Sequence, residues 1–249
     1  MCVQSHRVPV RTALARMVTM AEQRTRSDRD LKAFLVCLVG IDGAGKSTLA
    51  TALAANLQAR GIPCSYLWSG FNDSFTVFRP LVAVAKASVL RGGRYMEQSA
   101  TKGRVVKSSS LSTLYQYLTL ADYIFQVFFR IQLRRARGRN LICDRYIHDL
   151  AVAVGILLDY PTDRTMTLLD RCLALVPRPD LVFLVDAPEE LAFQRKDDVV
   201  SLDFLSVRRD LYLQMAQQHG MTILDGSSDP GELAQLAASE VLQHIAGDY

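Results

Sequence analysis

The sequence predicts an α/β protein built as three α/β/α layers around a five-stranded parallel sheet, and three observations support this. A wholly apolar run of strand length, Ala33 to Val39, leads straight into Gly40-Ile41-Asp42-Gly43-Ala44-Gly45-Lys46-Ser47, a match to G-x-x-x-x-G-K-[ST]. Strand-length and helix-length runs then alternate to the end of the chain. Gly40, Asp144, Asp186 and Asp225 all fall at or just after predicted strand ends, the rim where open parallel sheets bind ligands.

Each element has its own signal. Ala33 to Val39 has no polar side chain, as expected of a strand covered on both faces. Ser47 to Arg60 reads as a helix stopped by Gly61-Ile62-Pro63. Cys64 to Trp68 is a second strand. Leu111 to Arg137 is a long helix, with Arg134, Arg135 and Arg137 suiting the negative end of its dipole. Strands follow at Asn140 to Asp144, Asp180 to Asp186 and Met221 to Leu224, with helices at Asp149 to Asp159, Pro188 to Arg195, Asp203 to His219 and Pro230 to His244. Right-handed crossovers between parallel strands are expected throughout. Residues 31–249 then form one domain, with an insertion at about 70–107 and a short lid at about 195–203.

With 249 residues, 49% of them hydrophobic, the chain can bury a full α/β core, and 22% charged residues exclude a disordered polymer. The net charge of +4 is compatible with phosphorylated substrates but too small to indicate a polyanion partner. Residues 86–107 hold Lys86, Arg91, Arg94, Lys102, Arg104 and Lys107 against Glu97; a solvated loop is the preferred reading, and nucleic acid is not expected as a partner. No apolar run nears the roughly 18 residues of a membrane span, so no membrane association is expected. Cys2, Cys37, Cys64, Cys143 and Cys172 are odd in number and include no C-x-x-C pair. That argues against a disulfide framework or zinc site and for a reducing, cytoplasmic setting. Residues 1–30 form a basic, flexible extension, or an overlong start before Met17 or Met20. Their arginines leave a mitochondrial transit peptide as the alternative.

The glycine-rich loop is the signature of P-loop NTPase folds. Its glycines let successive N–H groups face phosphate oxygens, and the helix that follows adds its positive end. This points to ATP on Gly40, Asp42, Gly43, Ala44, Gly45, Lys46, Ser47 and Thr48. Lys46 would reach the β- and γ-phosphates, and Ser47 would bind Mg2+. The second constellation is Asp144-Arg145-Tyr146. A carboxylate ending a buried strand beside the loop can hold Mg2+ through water, and Arg145 can fork onto an anionic phosphate. A structural Asp–Arg ion pair is the alternative. Lys46, Asp144 and Arg145 are the candidate catalytic residues, with Ser47 and Asp144 at the metal.

The I-D-G-A-G-K-S-T loop, the strand with Asp144-Arg145-Tyr146, the segment Pro179 to Glu190 (P-D-L-V-F-L-V-D-A-P-E-E) and the closing Leu224-Asp225-Gly226 together resemble the thymidylate kinase (dTMP kinase)-like family of P-loop nucleoside monophosphate kinases, over roughly Phe34 to the C-terminus. The resemblance implies transfer of the ATP γ-phosphate to a nucleoside monophosphate. It implies contact of Asp42 with the acceptor sugar hydroxyl, of Arg145 with the acceptor phosphate, and of Asp225-Gly226 with the adenine edge. Some members carry a catalytic arginine where this chain has Gly43. The implied alternative is a lid arginine, here Arg195 with Lys196 beside it, and then Arg208 or Arg209. It also suggests a homodimer, as does the long helix with Tyr115, Tyr117, Tyr123, Phe125, Phe128 and Phe129 nearly all round it.

The departures fall on the acceptor side. Trp68-Ser69-Gly70-Phe71-Asn72 replaces the family's R-E-P-G-G-T, Tyr123 follows Ala121-Asp122 where an arginine is usual, and the lid carries Asp197 and Asp198. Phe71, Phe75, Phe78 and Arg79 are candidates for the acceptor pocket, or for plain core. A phosphate acceptor is mostly dianionic at neutral pH, its second pKa being about 6, and needs no base. A neutral hydroxyl does need one, and the end of the second strand offers none nearer than Asp73, although Asp144 could serve. A kinase of the same fold acting on a nucleoside or another small molecule is the alternative, and a nucleotide-binding regulatory protein the second.

Overall fold

Leu35–Val39 (β1) runs through the middle of a five-stranded, all-parallel sheet, and all five of its residues are buried. The structure, a computed structural model, describes residues 33–70, 110–196 and 201–247. The other strands are Cys64–Trp68 (β2), Asn140–Asp144 (β3), Leu181–Asp186 (β4) and Thr222–Asp225 (β5), in the order β2-β3-β1-β4-β5. The extension at 1–30, nearly all of the insertion and the centre of the lid lie outside the described residues, as do Phe71, Asp73, Phe75, Phe78, Arg79 and the basic cluster at 86–107.

Seven helices are described: Lys46–Ala59 (α1), Ser110–Arg135 (α2), Ile147–Leu157 (α3), Thr162–Leu173 (α4), Glu189–Gln194 (α5), Leu202–His219 (α6) and Pro230–Gly247 (α7). α1 starts after Gly45, whose left-handed φ of 97° caps it, and turns Leu49, Leu53 and Leu57 inward at fourfold spacing. It packs on α7. Right-handed crossovers place α1 on one face, which α7 shares by packing on it, and α2 to α6 on the other. α4 is the element the sequence does not announce. Its threonines and aspartates weaken helix propensity, yet Thr165, Met166, Leu169 and Cys172 form a buried face that packs it on α3.

The order of strands positions the site. From β1 the chain crosses β3 to reach β2, whereas from β3 it crosses β1 in the opposite direction to reach β4. The carboxyl ends of β1 and β3 therefore flank the topological switch point, where connections diverge and leave a crevice. Register makes the placement specific. Leu38 pairs with Asp144, and Asp144 with Trp68. The ladder runs one step further, with Arg145 N donating to Leu38 O and Ser69 N to Asp144 O, both at 2.9 Å. The glycine-rich loop, Arg145 and Ser69 leave the sheet side by side.

Candidate active site

Lys46 is buried, and its Nζ donates back across the loop to Ile41 O at 2.5 Å. Burial, with the nearby Arg145 charge, lowers its pKa to about 8 against the pull of Asp149, Asp42 and Asp144. A desolvated ammonium held in a loop of N–H groups is a site for polyanionic oxygen. Ser47 and Thr48 stand exposed on the first turn of α1.

Asp144 closes the loop's other side. Its Oδ2 accepts Ser47 Oγ at 2.5 Å and Tyr66 Oη at 3.0 Å, while its buried Oδ1 has no partner among the described residues. An unfilled carboxylate oxygen next to a serine hydroxyl at the head of a phosphate-binding loop is a fitting donor set for Mg2+, a hard ion that takes one or two carboxylates and completes its shell with water and phosphate.

Arg145 faces the loop from β3. Its backbone is left-handed, φ 70°, a state that costs a bulky residue roughly 1–3 kcal/mol. The turn is held by Arg145 N on Leu38 O and by Ser69 Oγ, which donates to Arg145 O. The side chain thereby reaches the loop. Nη2 donates to Asp42, and Nη1 to Asp149 at 2.7 Å. Burial disfavours the guanidinium, but Asp149 and Asp42 more than offset it, so it stays charged. Conversely, burial raises the Asp42 pKa, but Arg145, Lys46 and Arg208 pull it below the usual carboxylate range. The expected alternative of an Asp144–Arg145 pair is not what forms: Arg145 bridges Asp42 and Asp149.

The far side of the loop meets β4 and β5. Gly226 N donates to Asp186 O at 2.6 Å, and Arg195 Nη1 donates to Gly226 O at 2.9 Å. Arg195 thus lies exposed beside the predicted adenine edge. Asp225 accepts from Ser227 N at 2.9 Å and Ser227 Oγ at 2.5 Å. Of the second arginine pair, Arg209 is committed to Asp186, at 2.6 and 2.9 Å, and to Glu189 at 2.7 Å. Arg208 is buried, its Nε has no partner among the described residues, and its charge acts on Asp42.

Three site contacts are absent from the sequence reading. Asp149, whose Oδ2 also accepts Tyr146 N at 3.3 Å at the start of α3, could have been found as an acid four residues after Arg145. Tyr66 on Asp144 depends on the pairing of β2 with β3, which no local signal gives. The third is Tyr123, which donates to Ser69 O at 2.6 Å and braces the turn that follows β2. Gly70 lies against both Trp68 and Arg145: a β-carbon there would come within 2.4 Å of the indole and 2.8 Å of Arg145 Cδ.

A glycine-rich loop at the switch point of a five-stranded parallel sheet makes this an α/β fold of the P-loop NTPase class. No family model matches the chain. Among curated proteins, it is 26% identical over 219 residues to the thymidylate kinase of Xanthomonas campestris pv. campestris (strain B100), covering 85% of this chain and 84% of the relative. It is 26% identical over 216 residues to the thymidylate kinase of Xylella fastidiosa (strain 9a5c), covering 84% and 90%. To the probable thymidylate kinase of Methanosarcina acetivorans it is 24% identical over 220 residues, covering 85% and 96%. No described helix is long and apolar enough to cross a membrane.

Proposed function

We propose that the chain transfers the γ-phosphate of ATP to a nucleoside monophosphate, as a thymidylate-kinase-like phosphotransferase. The observation that carries this reading is the placement of Lys46 and Ser47 on one side of the switch point and Arg145 on the other, with Asp144 between them.

The loop N–H groups and Lys46 hold the transferring phosphates, and phosphoryl transfer needs little beyond such positioning and charge. Mg2+, held at Ser47 and Asp144, would neutralise phosphate charge. Arg145 keeps donor capacity beyond the two bonds it makes, since a guanidinium carries five N–H groups, and it serves as the fork for the acceptor phosphate. Asp42, tied to that fork, orients the acceptor sugar. In this reading Asp144 holds Ser47 and Tyr66 on Oδ2 and turns Oδ1 to the metal, which leaves it no oxygen to act as a base and favours an acceptor that needs none. Transition-state charge falls to an arginine from the lid side. Arg195 is the candidate, and Arg208 is the one whose charge reaches the loop residue Asp42. The exposed Phe129 and Leu133 on α2 support a homodimer formed through that helix.

A second reading, a same-fold kinase with a different small-molecule acceptor, is favoured by the turn at Trp68 to Gly70, pinned by Tyr123 and packed on Arg145. An ATP-coupled screen of nucleoside monophosphates and nucleosides tests both. Turnover of thymidylate is the expected result. Turnover of a non-nucleotide alone would select the second reading. Tight ATP binding with no turnover of any acceptor would overturn both.

A further inference from the structure

Tyr66 stands on the edge strand β2 with 44% of its surface exposed, so burial does not account for where its hydroxyl goes. That hydroxyl donates to Asp144 Oδ2, the same oxygen that accepts the Ser47 hydroxyl hydrogen bond. The Asp144 carboxylate, 1% exposed, thus carries two donors on one oxygen and, among the described residues, none on the other. A buried carboxylate gripped on one side keeps its second oxygen available, and hydrogen bonds to an ionised group are the strong ones.

We propose that Tyr66 is a positioning residue for the metal: it fixes the Asp144 carboxylate so that Oδ1 is presented while the Ser47 hydroxyl turns its oxygen to Mg2+. This rests on the donor-site reading given above. Ser47 can ligate the ion through an oxygen lone pair and still donate its hydrogen to Oδ2, but one hydrogen bond leaves the carboxylate able to swing about it. Tyr66, from a different strand, supplies the second bond that fixes its orientation. Partners of this kind, which orient a group around a metal, typically change metal affinity about 10–100-fold when removed.

The test is ATP binding by titration calorimetry with Mg2+ and with EDTA, on the wild type and Tyr66→Phe, which keeps the ring and removes only the hydroxyl. The wild type is expected to bind more tightly with Mg2+. Tyr66→Phe is expected to need about tenfold more Mg2+ for the same gain, with affinity in EDTA and Tm unchanged. A variant with wild-type Mg2+ dependence overturns the inference alone, and so does one that loses Tm at unchanged Mg2+ dependence, since Tyr66 would then be only a brace between β2 and β3. A wild type with no Mg2+ dependence overturns the donor-site reading and this inference with it.

Discussion

Gly43 lies directly against the carbonyl of Ala192: a β-carbon added to it would sit 2.1 Å from that oxygen. The neighbour is backbone in α5, so nothing flexible can move aside. The φ of 86° adds a second penalty for any side chain. No arginine fits at Gly43 unless α5 shifts, so in the phosphotransferase proposed above a catalytic arginine would come from elsewhere. Gly43→Ala should therefore cost about 2 kcal/mol or more, lowering Tm by roughly 4–8 °C in a chain of this size, and should weaken ATP binding. Unchanged melting and affinity would show that α5 gives way freely.

In the proposed donor site Lys46 should set a pH limit on nucleotide binding. Its pKa is lowered to about 8 in the unliganded site, so below that pH the ammonium is already charged and binding takes up no proton. Above it, neutral Lys46 must be protonated to meet the phosphates, which raises its pKa. Affinity for ATP should then fall as pH rises through 8, approaching about one log unit per pH unit, with proton uptake on binding. Calorimetry in buffers of different ionisation enthalpy measures that uptake. Its absence at pH 9, or its persistence in Lys46→Ala, would contradict the assignment.

The fold was largely legible because buried parallel strands are apolar runs closed by turn or charged residues. The spans for β2 and β3 match the structure, and those for β1, β4 and β5 differ by at most two residues at an end. α4 was hidden because its signal is a periodic face in an otherwise polar segment. At the site, residue types and strand ends placed Lys46, Ser47, Asp144 and Arg145 around one crevice. Who bonds to whom was not legible. Tyr66 and Asp144 are 78 positions apart and meet only through the register of β2 on β3. Arg145 finds Asp42 only because its backbone turns left-handed.

In the proposed reaction Arg145 joins the ATP site to the acceptor site, and its removal should separate their kinetics. A guanidinium shared between Asp42, Asp149 and an acceptor phosphate would contribute about 3 kcal/mol or more to acceptor binding in the transition state. Arg145→Ala should lower kcat/KM for the acceptor at least about a hundredfold while the KM for ATP changes little. It should also lower Tm, since Asp42 and Asp149 lose their shared cation. Arg145→Lys should restore Tm more than kcat/KM, because a point charge satisfies the carboxylates but cannot fork. Equal losses for donor and acceptor would place Arg145 on the ATP phosphates instead.

The outer face of α2 should be an interface between two copies of the chain. Phe125, Phe129 and Leu133 recur at fourfold spacing and form one stripe, with Phe125 and Phe129 ring centroids 4.3 Å apart. Phe129 and Leu133 each expose more than half their surface, 52% and 54%. A contiguous apolar stripe of this kind marks an interaction surface. The inward side of the same helix carries Tyr123, which braces Ser69 beside Arg145. Pairing along the stripe would therefore stiffen the acceptor side and leave the phosphate-binding loop untouched. In sedimentation across micromolar concentrations, the wild type should be a dimer and Phe129→Glu a monomer, the buried charge costing several kcal/mol. The variant should keep its ATP affinity and show a raised acceptor KM. A monomeric wild type would rule the interface out. A monomeric variant with an unaltered acceptor KM would show that Tyr123 holds Ser69 without help from a second subunit.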